Sequence, residues 1–135
     1  MTETNQIGFT AHLKTDFETA IQRVTDALKV EGFGVLTEIN VKETLKKKID
    51  ADFRPYKILG ACNPTLAHRA LTTAPQVGLL LPCNVTVSQE SEGLVNVSIV
   101  DPIAMLDILQ RPDLEAVAQE ARAKLERVAA SLQNS

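Results

Sequence analysis

The stretch that decides the fold is residues 56–68, YKILGACNPTLAH. Its first part, from Tyr56 to Cys62, predicts a β-strand. Asn63 follows at once and is a favoured helix N-cap, and Pro64 is tolerated at the first helical position because an N–H there would have no partner. The sequence therefore predicts a strand that passes directly into a helix, which Pro75 and Gly78 end. The buried stripe predicted for this helix is Ala67, Ala70, Leu71 and Ala74.

A long β-hairpin is predicted for the residues after this helix. Apolar side chains alternate with others along residues 79–87, LLLPCNVTV, and again along residues 95–99, VNVSI. Such alternation is typical of strands with one buried face, and Ser91-Glu92-Gly93 supplies a turn between them. The residues expected on the buried face are Leu79, Leu81, Cys83, Val85, Val87, Val95, Val97 and Ile99.

Further elements are predicted on both sides of this centre. Residues 7–13 alternate as a strand, and a helix follows from a capping box of Thr15 and Glu18 to a stop at Gly32. A strand over residues 35–41, a short helix that carries three lysines and a final helix after residue 113 complete the order. This order predicts an α+β fold: an antiparallel sheet of about five strands with the long helices packed on one face.

Length and composition limit the possible classes of protein. The chain has 135 residues and is expected to form a single domain, 1–135, with a formal charge of -3 and 4% aromatic residues. An acidic chain with few aromatic side chains is a poor nucleic-acid binder, because that affinity depends on clustered Lys and Arg and on stacking. No apolar run approaches the length of a membrane span. We therefore expect a cytoplasmic protein that binds neither nucleic acid nor membrane.

Two cysteines are the candidate catalytic residues, and each stands directly before an asparagine. Cys62 lies at the predicted strand end and just before a helix N-terminus, where the helix dipole and free N–H groups would stabilise a thiolate. Cys83 shares its strand face with aliphatic residues and is expected to be buried. A small buried residue in the core is the alternative interpretation for both cysteines, since free cysteine is among the most buried residue types.

Four polar residues are candidates for ligand binding. Asn63 and Asn84 carry amide groups, although helix capping alone explains Asn63. His68 lies one turn into the same helix and could act near Cys62, or it could simply face solvent. Asp101 ends the hairpin at a strand end, where turn formation also explains it. The histidines and cysteines lack metal-ligand spacing, so no metal site is predicted, and no cofactor is identified.

The residues ILGACNP, GLLLPCNVTV and VDP together resemble the domain of unknown function 302 family (DUF302). The resemblance covers roughly Ile39 to Pro102. It implies a small α+β fold similar to the TATA-box-binding-protein-like class, often seen as a dimer, and it implies no established activity.

Three functions remain open, and the sequence leaves it uncertain whether the chain is an enzyme. A nucleic-acid binder is suggested only by the similarity of fold, and the acidic charge and few aromatic residues oppose it. The other two are better supported. The first is a homodimeric binding or accessory protein that holds a small ligand between helices and sheet. Its dimer interface is expected on the open sheet face or on the apolar run Ile103–Leu109. The second is a thiol-dependent redox or sulfur-handling enzyme, with Cys62 as the nucleophile and Cys83 as the resolving thiol.

Overall fold

The computed structural model describes residues 3–4 and 7–133. Among these residues, one antiparallel sheet has the strand order β1-β2-β6-β5-β4-β3. Its strands are β1 Glu3–Thr4, β2 Gly8–Leu13, β3 Gly34–Asn40, β4 Tyr56–Cys62, β5 Cys83–Ser91 and β6 Leu94–Val100. Five of these are full strands, and β1 adds two residues at one edge. The predicted sheet is therefore confirmed.

Four of the helices follow the order predicted from the sequence, and a further short helix, α4 Pro102–Leu106, was not predicted. They are α1 Phe17–Val30, α2 Val41–Ile49, α3 Pro64–Thr73, α4 Pro102–Leu106 and α5 Glu115–Gln133. Short 3-10 segments occupy Pro75–Leu80, Asp107–Leu109 and Pro112–Leu114. The long helices α1 and α5 pack against one face of the sheet, so the predicted α+β class with its helices on one face is also confirmed.

The core lies between this sheet face and the helices. Alternate residues of the central strands are fully buried, as Val85, Val87 and Val97 show with 0% exposure. They meet the apolar stripes of α1 and α5, which include Val24 and Leu125. Side chains on the opposite sheet face are mainly small and polar, and the Thr10 and Ser98 hydroxyl oxygens are 3.0 Å apart there. One face of the sheet is thus apolar and the other polar, as period-two patterning requires.

The first helix begins one residue later than its predicted cap. Asp16, not Thr15, is the N-cap: its carboxylate accepts a hydrogen bond from the Thr19 N–H at 3.1 Å. The predicted capping box of Thr15 and Glu18 is wrong, because two acceptors compete at neighbouring positions and the carboxylate takes the cap. The predicted stop is correct, since Gly32 adopts a positive φ of 84°.

Two predictions around the hairpin and its preceding helix need correction. Leu79 does not belong to a strand: it lies in the 3-10 segment and is 82% exposed. The strand starts at Cys83 because Pro82 has no N–H to donate to a sheet ladder. On α3 the buried side chains are Leu66 and Ala70, whereas Leu71 is 40% exposed, so the predicted stripe is rotated around the helix.

The short helix α2 carries the lysine run on an exposed surface. None of its residues is buried, and Lys46 Nζ lies 2.9 Å from an Asp50 carboxylate oxygen and 3.4 Å from one of Asp52. The lysine run therefore faces solvent. Among the described residues, no helix is long and apolar enough to cross a membrane.

Candidate functional site

A pocket opens at the end of the sheet where β4 ends and β5 begins. We call it the sheet-end pocket, and its volume is about 320 Å³. The strands, the loops at their ends and the helices α3, α4 and α5 all contribute to its walls. Lining residues include Phe33, Leu36, Thr37, Ala61, Cys62, Asn63, Leu66, Ala67, Ala70, Leu71, Val77, Pro82, Cys83, Met105, Leu106, Val117 and Ala121.

The lining of this pocket is almost entirely apolar. Thr37 and Asn63 supply its polar side chains, and no charged side chain of the described residues lines it. Small ligands usually bind in concave, mostly apolar sites with a few placed polar groups, and the volume falls at the lower end of their size range. The sheet-end pocket therefore fits a small, uncharged molecule better than an ionic one.

Strand register brings the two cysteines to this pocket from opposite faces of the sheet. Ala61 of β4 lies directly across from Cys83 of β5, so these two side chains share the core face. Cys62 follows Ala61 and points to the other face by alternation. Both cysteines nevertheless line the pocket, which lies where β4 ends and β5 begins. The strands that carry them are neighbours, as the hypothesis of a shared pocket requires.

Gly60 allows the strands to close around the end of β4. A Cβ atom at this position would collide with Thr37 Oγ1 and lie only 2.6 Å from Pro82 Cγ. Thr37 sits just after a bulge in β3, and both Thr37 and Pro82 line the pocket. The absence of a side chain at Gly60 thus positions two parts of the pocket wall.

The two thiols lie in different surroundings. Cys83 is 8% exposed, and burial, with a further contribution from the Cys62 charge, raises the pKa of its thiol to about 11. It therefore stays protonated at neutral pH. Cys62 is half-buried at the C-terminal end of β4, directly before the N-cap of α3. Of the two, Cys62 is the more accessible to a reagent.

Asn63 is used to hold the structure together. Its Oδ1 accepts a hydrogen bond from the Leu66 N–H at 3.2 Å and so caps α3, as predicted. Its Nδ2 donates to the Glu31 carbonyl oxygen at 3.4 Å, which connects α3 to the turn after α1. Both ends of the amide are therefore engaged, although Asn63 still forms part of the pocket wall.

The other three predicted ligand-binding residues lie away from the sheet-end pocket. His68 is exposed and lines a separate depression with Arg69 and Asp113. Asn84 is exposed on the polar sheet face, because it alternates with the buried Cys83. Asp101 caps α4, accepting a hydrogen bond from the Ile103 N–H at 2.9 Å. The structure thus brings Cys62, Asn63 and Cys83 together and separates His68, Asn84 and Asp101 from them.

Sequence reasoning missed most of the pocket wall. The run Ile103–Leu109 was expected to form a surface, yet Met105 and Leu106 line the pocket, and among the apolar side chains of the run Ile108 alone is strongly exposed, at 70%. Val117 and Ala121 of α5 complete the wall. The sequence signal for these wall residues was the amphipathic pattern of the helices. This pattern predicts that one helix face is buried, but it does not predict that part of the face borders a cavity.

Comparison with known proteins defines the class to which this fold and pocket belong. The family model described as "Domain of unknown function DUF302" matches residues 9–132, and the chain therefore belongs to this family. The match extends well beyond the segment from Ile39 to Pro102 that carried the resemblance.

A solved structure is similar over nearly the whole chain. It is described as an uncharacterized conserved protein DUF302 from Bacillus stearothermophilus, with 32% sequence identity and a TM-score of 0.85. The similarity covers 93% of this chain and 97% of that one. No curated protein matches this chain.

Proposed function

We propose that this chain is a small-ligand-binding protein that holds a neutral, apolar molecule in the sheet-end pocket. The observation that carries the proposal is a cavity of about 320 Å³ with an apolar wall and no charged lining side chain among the described residues. Burial of apolar surface is the favourable term available to such a site, at roughly 25 cal/mol per Å² removed from water. A charged ligand would lose its hydration there without a partner.

The pocket volume sets the size of the ligand. At ~30 Å³ for each water-sized group, 320 Å³ holds about ten such groups. A medium-chain ketone or alcohol, or a substituted single aromatic ring, meets this limit. The hydroxyl of Thr37 in the pocket wall is the polar group best placed to bind a carbonyl or hydroxyl oxygen, since the Asn63 amide is engaged at both ends.

Access to the pocket is supported by exposed apolar side chains in its own wall. Leu36 is 68% exposed and Leu71 is 40% exposed, and both line the cavity. Side chains that belong at once to a cavity wall and to the surface define an opening. An apolar ligand can therefore enter without local unfolding of the core.

The test is isothermal titration of the chain with 2-nonanone, a neutral ketone of suitable size. We expect saturable binding that an Ala67→Phe change weakens roughly tenfold or more, equivalent to about 1.4 kcal/mol, because the larger side chain fills the cavity. Ala123→Phe is the matched control, since Ala123 is exposed on α5 and does not line the pocket. Absence of binding to the wild-type chain, or equal loss in both variants, would contradict the proposal.

A homodimer is part of the same proposal, with an interface that differs from the two expected ones. The open sheet face is polar, and most of the run Ile103–Leu109 packs inward. The strand β3 lies at the edge of the sheet and exposes Ile39, which lies outside the pocket lining and makes this edge the better-supported surface. Sedimentation equilibrium should give a dimer at micromolar concentration that Ile39→Glu dissociates, and a wild-type monomer would refute this.

A thiol-dependent redox activity is the second candidate, because both cysteines line one pocket. The raised pKa of Cys83 weakens it, since a protonated resolving thiol attacks slowly at neutral pH. Peroxide treatment followed by peptide mapping tests it: a Cys62–Cys83 disulfide would support the activity, and separate oxidised thiols would oppose it.

The free cysteines also favour a cytoplasmic location, where thiols stay reduced.

A further inference from the structure

The sheet-end pocket contains two thiols whose chemistry the proposed ligand binding does not use. Cys83 lies at the inner wall, and its thiol has no hydrogen-bond partner among the described residues. Cys62 is half-buried in the same wall and stands before the N-terminus of α3, a helix of ten residues. An apolar cavity with an accessible thiol in its wall holds a bound molecule next to a nucleophile.

We propose that Cys62 is a covalent attachment site for small apolar α,β-unsaturated carbonyl compounds that enter the sheet-end pocket. This inference rests on the proposed function, because the pocket must first hold the compound beside the thiol. Binding in a fixed orientation turns a bimolecular addition into an effectively unimolecular one.

The chemical step is a conjugate addition. Cys62 Sγ forms a bond to the β-carbon of the compound, and the π electrons of the carbon–carbon double bond move toward the carbonyl to give an enolate. The proton released by the thiol returns to the α-carbon, which leaves a saturated carbonyl compound joined through a thioether. Atoms and electrons balance without an oxidant, a reductant or a leaving group.

The position of Cys62 favours this step over reaction at Cys83. The enolate that develops is negatively charged, and a helix N-terminus stabilises negative charge through its dipole. Pro64 has no N–H, the Leu66 N–H donates to the Asn63 side chain and the Ala67 N–H donates to the Asn63 carbonyl oxygen, which leaves the Thr65 N–H of the first turn available. Cys83 lies deeper and holds its proton, so it is a poor nucleophile at neutral pH.

The pocket wall selects the class of compound. It supplies no charged side chain that would bind a phosphate or carboxylate group, so charged thiol reagents gain nothing from it. A neutral enone of medium chain length gains apolar contact and brings its double bond into the cavity. Selectivity for neutral, apolar electrophiles is therefore expected from the lining itself.

The experiment uses the enone 3-nonen-2-one and its saturated counterpart 2-nonanone with the full chain. Adduct formation is followed by intact-protein mass spectrometry, and peptide mapping of the wild-type chain identifies the modified cysteine. We expect one adduct, on Cys62, at a rate that saturates with enone concentration and is roughly tenfold or more above that of the urea-unfolded chain. Excess 2-nonanone should slow it, Cys62→Ser should abolish it, and Cys83→Ala should still form it on Cys62.

The outcomes separate this inference from the proposed function. If 2-nonanone binds but the enone modifies Cys62 no faster than in the unfolded chain, with a linear dependence on concentration, the covalent site is refuted and ligand binding stands. Modification of Cys83 in the folded chain would also refute it. If 2-nonanone does not bind at all, the proposed function itself fails, and the inference fails with it.

Discussion

Replacing Gly60 by alanine should destabilise the protein and deform the sheet-end pocket. The added Cβ would collide with Thr37 Oγ1 and lie 2.6 Å from Pro82 Cγ, well inside the separation that carbon atoms tolerate. Since Gly60 is buried between paired strands, β3 or the residue before β5 must move to admit it. Overpacking of this kind costs about 1–3 kcal/mol, which we expect as a loss in the free energy of unfolding by urea.

Two further variants make this prediction specific. Gly34→Ala changes another strand glycine, but no atom lies within 4 Å of its added Cβ, so its stability should be unchanged or slightly higher. Thr37→Ala removes the hydroxyl that the new Cβ meets. The double variant Gly60→Ala/Thr37→Ala should therefore recover part of the unfolding free energy that Gly60→Ala loses. This account of the pocket wall would be refuted if the Gly60→Ala protein were as stable as the wild type, or if the double variant were no more stable than Gly60→Ala alone.

Three other predictions concern single side chains. The folded Cys83 thiol has a pKa of about 11, whereas an unfolded thiol titrates near 9.0. The free energy of unfolding of the wild-type chain should therefore fall by about 2 kcal/mol, relative to that of Cys83→Ala, as the pH rises from 9 to 11. Equal pH dependence in both proteins would contradict the burial of this thiol. Asn63→Ala should lower the free energy of unfolding in urea by about 1 kcal/mol and Asn63→Ser by less, because serine also caps a helix and places no carboxylate against the Glu31 carbonyl oxygen. Equal losses in the two variants would contradict the capping role. Leu66→Ala should lower the free energy of unfolding by about 2–3 kcal/mol, and Leu71→Ala, at a side chain that is 40% exposed, by less than about 1 kcal/mol. The reverse order would support the buried stripe predicted from the sequence.

The centre of the fold could be predicted because its signals are local. The strand over Tyr56–Cys62 and the cap at Asn63 depend on neighbouring residues only, and the structure has both where they were predicted. The hairpin return from Leu94 to Val100 follows from the same kind of alternation. Local periodicity, caps and turn residues were therefore sufficient for the order of the five full strands and of every helix except α4.

The candidate site could be predicted only in part because its geometry is long-range. Cys62 and Cys83 meet in one pocket through the register of β4 against β5, which side-chain alternation alone does not determine. Val117 reaches the same pocket from α5, far along the chain. The bulge between Val35 and Thr37 changes which β3 side chains face the cavity, and no pattern of residues in the sequence predicted this bulge.

The measurement that tests the central claim most directly is a map of backbone amide chemical shifts in the chain titrated with 2-nonanone. Binding in the sheet-end pocket predicts the largest changes at Leu66, Ala70 and Val117, which line it, and small changes at Thr10 and Ser98 on the polar sheet face. A map centred on the polar face, or no saturable change at any residue, would contradict the claim that this apolar cavity is the ligand site.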